Sequence, residues 1–481
     1  MPGLSGLALH VPKARVPLDA WSAWTNATPE KVRAVVGDAF RVPSGHEDVY
    51  TLAANAVLKL IMQADIDPSA VGMLVFATES SQDNAVGGPT VKGLVDLALE
   101  ARGQPPLSTH LETFEVKQAC LAGLNGVLAA CRFVALEPDR TAIVVASDIA
   151  EYARGSSGEQ TQGAGAVAMW VEAKPKLLEL DVAGAGRSSA DRKFDFRKPA
   201  RAPEHPQAGF PEARPRDFPT FAGHYSTRCY LDAVDRAFVD LSRRSKRSFT
   251  ELLEAAGMVL HHRPYDKMPS TSVAQMVLRA LRETEDGHAQ LDAAAHAGGV
   301  SIEQALNELD AAPDVARAAT EQGVEHDPAP ELGRLLRLLV KSPAVQSVLS
   351  GKSSFGRALV RQLGNLYSAS LPAWLGAALE EATERPPKHE ELLLCGYGSG
   401  DAALVVVGRL VDGWRTAARR LGFAAALEGA VDLERGAYER AHDRIEPVQL
   451  PASAEVVLER VGDGTGHSFD DSGVPYYGYA P

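Results

Sequence analysis

Thr113-Phe114-Glu115-Val116-Lys117-Gln118-Ala119-Cys120 leads from a strand-like stretch into a helix whose apolar positions Leu124, Val127, Leu128, Cys131 and Val134 keep the 3.6-residue spacing. A strand that gives way to a helix across a short turn is the unit of an α/β fold with covered sheets. The unit recurs on both sides of the quoted stretch. Strands are expected near 71–77, 112–116, 141–147 and 166–172, and helices near 49–64, 88–101 and 121–135. Cys120 then stands at a helix N-terminus, where unpaired N–H groups and the helix dipole favour a thiolate. That residue is suited to nucleophilic attack.

A similar order returns after about residue 175. Helices are expected at 229–243, 272–283 and 364–381, and strands at 391–395, at 402–408 and in the run that ends at His262. Gly163-Ala164-Gly165 precedes the apolar run 166–171 just as Gly398-Ser399-Gly400 precedes the run 402–407. The pattern reads as a duplicated α/β fold with halves at 1–174 and 175–481. Residues 187–221 carry no steady apolar period and read as a long loop, in which Phe194 and Phe196 exceed what a linker needs. Residues 284–345, rich in Ala, Glu and Leu, read as extra helices inserted into the second half.

Two further residues sit where apolar runs end. Glu79 follows Val71-Gly72-Met73-Leu74-Val75-Phe76-Ala77, so its carboxylate emerges from a buried strand, where burial would raise its pKa and suit it to proton transfer. His262 follows Met258-Val259-Leu260 and precedes Arg263-Pro264, so a rigid loop is expected beyond it. His261 and His262 are adjacent, point to opposite faces of a strand and cannot hold one metal together. The glycine pairs at 163–165 and 398–400 precede strands, whereas a dinucleotide fingerprint opens a helix.

Composition narrows the field. The formal charge of −13, from 49 basic and 62 acidic residues, argues against nucleic-acid binding. Arg192, Lys193, Arg197, Lys198, Arg201, Arg243, Arg244, Lys246 and Arg247 form local basic clusters that either meet a substrate's phosphates or lie on a solvated face. Four cysteines are too few and too scattered for a disulfide framework, and no C-x-x-C pair points to zinc. No run is read as a membrane span or leader, so a cytoplasmic location is the expectation.

The segment 114–120 resembles the nucleophile segment of 3-hydroxy-3-methylglutaryl-CoA synthases, and Thr78-Glu79-Ser80-Ser81 resembles their catalytic glutamate segment. Residues 260–268, Leu-His-His-Arg-Pro-Tyr-Asp-Lys-Met, are similar to that family's His-x-Pro-aromatic-x-Lys signature. Ser147–Tyr152, Thr161–Ala168, Asp195–Pro199, Gly364–Tyr367 and Tyr397–Gly400 match in the family's order, so the resemblance spans most of the chain. It implies the layered thiolase fold, Cys120 as acyl carrier, Glu79 as base and His262 as the group that meets the acceptor carbonyl. It also implies substrate contacts from Tyr152, Thr161, Phe196, Pro264, Lys267, Asn365, Tyr367 and Ser399. The substrates implied are acetyl-CoA and acetoacetyl-CoA, with no metal or redox cofactor and a homodimeric assembly. Relatives that use an acyl-carrier protein share the same motifs. The stretch 284–345 departs from the family, whose bacterial members have a shorter connection there.

Overall fold

A computed structural model describes residues 1–81, 83, 85–197, 218–465 and 469–481. Ten strands join in one sheet, whose inner strands such as 71–77 and 141–150 are runs rich in Val, Ile, Leu and Ala, as burial on both faces requires. From one edge its order is Ala256–His261, Glu391–Gly398, Ala402–Leu410, Leu178–Leu180, Gly3–His10, Gly163–Glu172, Thr141–Ala150, Val71–Ala77 and Glu112–Val116, with Gly186–Ser189 also paired to 402–410.

The order carries the duplication. In the first half, strand 3–10 pairs antiparallel with 163–172, which pairs antiparallel with 141–150, which pairs parallel with 71–77. In the second half, 178–180 pairs antiparallel with 402–410, which pairs antiparallel with 391–398, which pairs parallel with 256–261. Strand 112–116 extends the first half alone, parallel to 71–77. At that point of the second half the chain instead runs through the helices of residues 285–351.

Alternation along each strand builds the layers. Val75, Ala77, Ala142 and Val144 of the first half, and Met258, Leu260, Leu392 and Leu394 of the second, face one core that contains helices Ala122–Leu136 and Ser370–Ala382. Leu74, Phe76, Ile143 and Val145 face outward onto helices Val49–Ala64 and Gly87–Ala101. Val259, Leu393, Cys395 and Val405 face onto helices Gly223–Ser245 and Met268–Leu281. The result is the layered α-β-α-β-α arrangement of the thiolase fold. Phe76 is fully buried, and a side chain of that size contributes about 1.5–3 kcal/mol by leaving water.

Three expectations change. Strand 3–10 was not anticipated, because Gly3, Ser5 and Gly6 interrupt its apolar run; yet a Cβ on Gly3 would lie 1.9 Å from the Leu178 carbonyl oxygen, so this close approach at the sheet's centre needs glycine. Residues 187–189, expected to open a loop, pair with 402–404 instead. Ala119–Leu136 is long and apolar enough by composition to cross a bilayer, contrary to the reading that no run was. That segment is 61% buried within the fold and includes its central helix.

Candidate active site

The chemistry-bearing residues sit at corresponding chain positions of the two halves. Glu79 follows strand 71–77 and His262 follows strand 256–261. Cys120 precedes helix 122–136, and Asn365 and Tyr367 precede helix 370–382. Tyr152 and Thr161 connect the last two strands of the first half, while Ser399 lies in the turn joining the corresponding strands of the second. Ten of the eleven anticipated residues line one cavity of about 880 Å³: Cys120, Tyr152, Thr161, Phe196, His262, Pro264, Lys267, Asn365, Tyr367 and Ser399. The eleventh, Glu79, meets this cavity through Cys120.

The Cys120 thiol is 8% exposed and donates to Glu79 Oε2 at 3.0 Å. Burial, and then the negative charge of Glu79, push the thiol well above its usual range. The expectation of a helix-stabilised thiolate is therefore corrected. Helix 122–136 begins two residues later with Leu121 as its cap, and desolvation and a carboxylate outweigh its dipole. The thiol rests protonated against its acceptor.

Glu79 is held from behind. Asp148, fully buried on strand 141–150, receives six hydrogen bonds: Thr78 Oγ1 at 3.0 Å, the Glu79 N–H at 2.7 Å, the Ser80 N–H and hydroxyl at 2.8 and 2.6 Å, and the Ser368 N–H and hydroxyl. Burial raises the Asp148 carboxyl while these donors oppose the rise. One side chain thus fixes both the backbone that presents Glu79 and the segment that presents Tyr367. Sequence reading named Asp148 only within a motif; a lone aspartate in an apolar strand was the available signal, since a buried carboxylate requires donors.

Asn365 begins a turn rather than a helix, contrary to the expected helix from 364. Its Oδ1 accepts from the Tyr367 N–H and the Ser370 hydroxyl, both at 2.9 Å, and its N–H donates to Thr161 O at 3.1 Å. Gly364, at φ +76°, makes this possible, because a Cβ there would lie 1.8 Å from the Gln162 carbonyl oxygen. Among the described residues nothing engages the Asn365 amide nitrogen, so it is available to the cavity. Tyr152, Phe196, Phe221 and Tyr367 meet edge-on or tilted at 5.9–6.4 Å and wall the space beside Cys120. Phe196 and Tyr367 both have positive φ, which marks local strain in this wall.

His262 is 2% exposed with no partner for Nδ1. Burial, helped by Arg263, pulls it down to about 3, so the imidazole is neutral at working pH. His261 is fully buried and lies off the cavity, as the opposite-face argument requires. Exposed Lys267 sits at the rim. Of the basic residues flagged for phosphate binding, five arginines are engaged elsewhere, and Lys193 and Lys246 do not line the cavity. Arg192 pairs with Asp232 and Asp401, Arg197 with Asp191, Arg243 and Arg244 with Asp240, and Arg247 with Glu391. None of these lines the cavity, and Lys198 and Arg201 lie outside the described residues.

Asp195, Cys229 and Asp401 bring potential ligand atoms within 4.8 Å of one another behind the cavity. The guanidinium of Arg192, 3.3 Å from Asp401 Oδ2, already supplies positive charge there. Burial pushes Asp401 up to about 7, with Asp195 and Asp232 adding to the rise and Arg192 opposing it. The native state therefore keeps a proton on Asp401 that the unfolded chain releases near pH 4, so this group's contribution to stability falls as pH rises from about 4 to about 7. Asp401→Asn should flatten that decline, read as urea midpoints across this pH range. An unchanged slope would reject the assignment.

Comparison with known proteins agrees with this geometry. Residues 3–176 match the family model described as hydroxymethylglutaryl-coenzyme A synthase N terminal, and residues 192–326 match its C-terminal counterpart. A hydroxymethylglutaryl-CoA synthase of Enterococcus faecalis is 25% identical over 438 residues, covering 91% of this chain and 90% of that one. The solved structure of MvaS in complex with 3-hydroxy-3-methylglutaryl coenzyme A superposes with a TM-score of 0.76 at 24% identity, over 100% of this chain and 99% of that chain. The curacin-pathway HMG synthase in complex with holo donor-ACP gives 0.69 at 17% identity, over 100% of both chains. Fold and site together define an acyl-condensing enzyme of the thiolase superfamily, with a thiol, a carboxylate and an imidazole around one cavity. The chain belongs to the hydroxymethylglutaryl-CoA synthase family.

Proposed function

We propose that this protein condenses acetyl-CoA with acetoacetyl-CoA to give 3-hydroxy-3-methylglutaryl-CoA and CoA, a step of the mevalonate pathway to isoprenoids. The observation that carries this reading is the 3.0 Å contact between Cys120 and Glu79 beside a cavity that also presents His262 and Asn365. As sulfur attacks the acetyl carbonyl, the thiol proton passes to Glu79, and the departing CoA sulfur takes it up. Glu79, again a carboxylate, then removes a proton from the methyl group of acetyl-Cys120. The resulting carbon nucleophile adds to C3 of acetoacetyl-CoA. Neutral His262 and the Asn365 amide donate hydrogen bonds to the developing alkoxide, which takes the proton from Glu79. On this reading Ser399, which lines the same cavity, offers its backbone N–H to the thioester oxygen. Water finally cleaves the acyl–Cys120 bond.

Tyr152, Phe196 and Tyr367 shape the acyl end, with Thr161 holding Asn365 in place. Lys267 meets a phosphate of CoA, and Pro264 stiffens the loop between it and His262. On this reading the enzyme divides into halves 1–174 and 175–481 and works in the cytoplasm as a homodimer. It needs no metal or redox cofactor and has neither nucleic acid nor membrane as a partner.

The test is intact-protein mass after acetyl-CoA, followed by acetoacetyl-CoA or an acetoacetyl-carrier protein. An acetyl adduct discharged by acetoacetyl-CoA supports the reading. Discharge by the carrier-bound acceptor alone replaces it with β-branching of a tethered chain, and no adduct rejects it. His262→Ala should form the adduct normally but discharge it about 10²–10⁴-fold more slowly. Normal discharge would remove His262 from the condensation step.

A further inference from the structure

The inserted helices do not stand apart from the site. Helix Pro330–Leu339 buries Leu332, Leu335, Leu336 and Leu339 in the core formed with helices 268–281 and 223–245. Helix Val315–Gln322 packs Val315 and Ala319 on Tyr225 and Cys229 of helix 223–245. Arg228 of that helix binds Asp327 and the Ala329 carbonyl, clamping the loop between the two inserted helices. The insertion is thus fixed to the helix that follows His262 and to the one that flanks the cavity.

Its residues form the cavity's outer wall, with Val315, Val324 and Leu336 giving an apolar surface and Arg337 following directly on the same helix. Arg337 is exposed, and among the described residues no hydrogen bond or ion pair engages its side chain or that of Lys267. Asp327 is already neutralised by Arg228, which leaves Lys267 and Arg337 against Glu325 and a positive balance at the rim. A largely apolar wall that ends in unpaired cations fits a slender uncharged arm ending in phosphate. A guanidinium held on an anchored helix is preorganised for such a group.

We propose that the insertion is the outer wall of the thioester channel and that Arg337 binds a phosphate of the incoming pantetheine-linked donor. This rests on the condensation reading above. The shared chemistry is a phosphate on a pantetheine arm, as carried by CoA or by a carrier protein. The experiment compares acetyl-pantetheine, acetyl-4′-phosphopantetheine and acetyl-CoA as acetyl donors to Cys120, reading the rate of adduct formation against donor concentration by intact mass.

For Arg337→Ala, the half-saturating concentration of acetyl-CoA should rise about 5- to 20-fold relative to that of acetyl-pantetheine, with partial recovery in Arg337→Lys. A rise already present with acetyl-4′-phosphopantetheine places the contact at the phosphate common to both carriers; a rise with acetyl-CoA alone places it on the nucleotide's phosphates. An equal change for all three donors, or none, overturns the proposal, because a merely structural role would not single out phosphate. Failure of the unaltered protein to take acetyl from any donor rejects the condensation reading itself, and the proposal with it.

Discussion

With Cys120 replaced by alanine, the protein should take up no acetyl group from acetyl-CoA, and turnover should fall to background. Ala122 and Leu124 beside it are already buried, and the rings of Tyr152, Phe196 and Tyr367 that pack near the sulfur also pack on one another. The variant should therefore fold and still bind both thioesters, and calorimetric titration with CoA would separate lost chemistry from lost binding. An adduct that persists in this variant would move the nucleophile elsewhere. Cys131, Cys229 and Cys395 are all fully buried, and none lines the cavity, which makes that outcome chemically unfavourable.

The second large effect concerns Glu79. Glu79→Ala should lower condensation by about 10³-fold or more at every pH, since Glu79 is the carboxylate that contacts the sulfur carrying the acetyl group. Acetylation should respond differently. The variant loses the acceptor for the thiol proton, but it also loses the nearest charge that holds the thiol up. Its acetylation should be slow near neutrality and recover as pH rises. For the same reason iodoacetamide, which reacts with thiolate, should label Cys120 faster in Glu79→Gln than in the unaltered protein at a given alkaline pH. Slower labelling would mean that the carboxylate does not set the thiol's titration. Undiminished condensation would remove Glu79 from the role of base.

Much of this site was legible because the chemistry stands at strand ends. An apolar run of seven residues that stops at Glu79, and another that stops at His262, fix both residues at the sheet's edge whatever the details of packing. The family motifs pointed to the other residues that line the cavity. Features that depend on distant pairing were not legible. Strand 3–10 begins with Gly3, needed for close approach to Leu178, which no local pattern reports. The thiol's titration depends on its burial and then on a carboxylate 41 residues away, so helix position alone gave the wrong direction. The insertion showed its helical period but not its place, because which wall it forms depends on the helices it meets. Its apolar leucines read as core in either case.

Asp148 gives the two halves different dependencies as the chain folds. Its Oδ1 is satisfied by Thr78, Glu79 and Ser80 of the first half, whereas the donors to Oδ2 come from Ser368, 220 residues away. A nascent first half can bring Cys120 and Glu79 together while this carboxylate is still open to water on one side. Contacts at such sequence separation require a long loop to be closed, at an entropic cost that local contacts do not carry. The same closure brings Asn365 and Tyr367 onto the acyl pocket, so a partly folded chain would lack the wall that shelters a thioester from hydrolysis. Safeguarding the acyl group is thereby tied to completion of the fold.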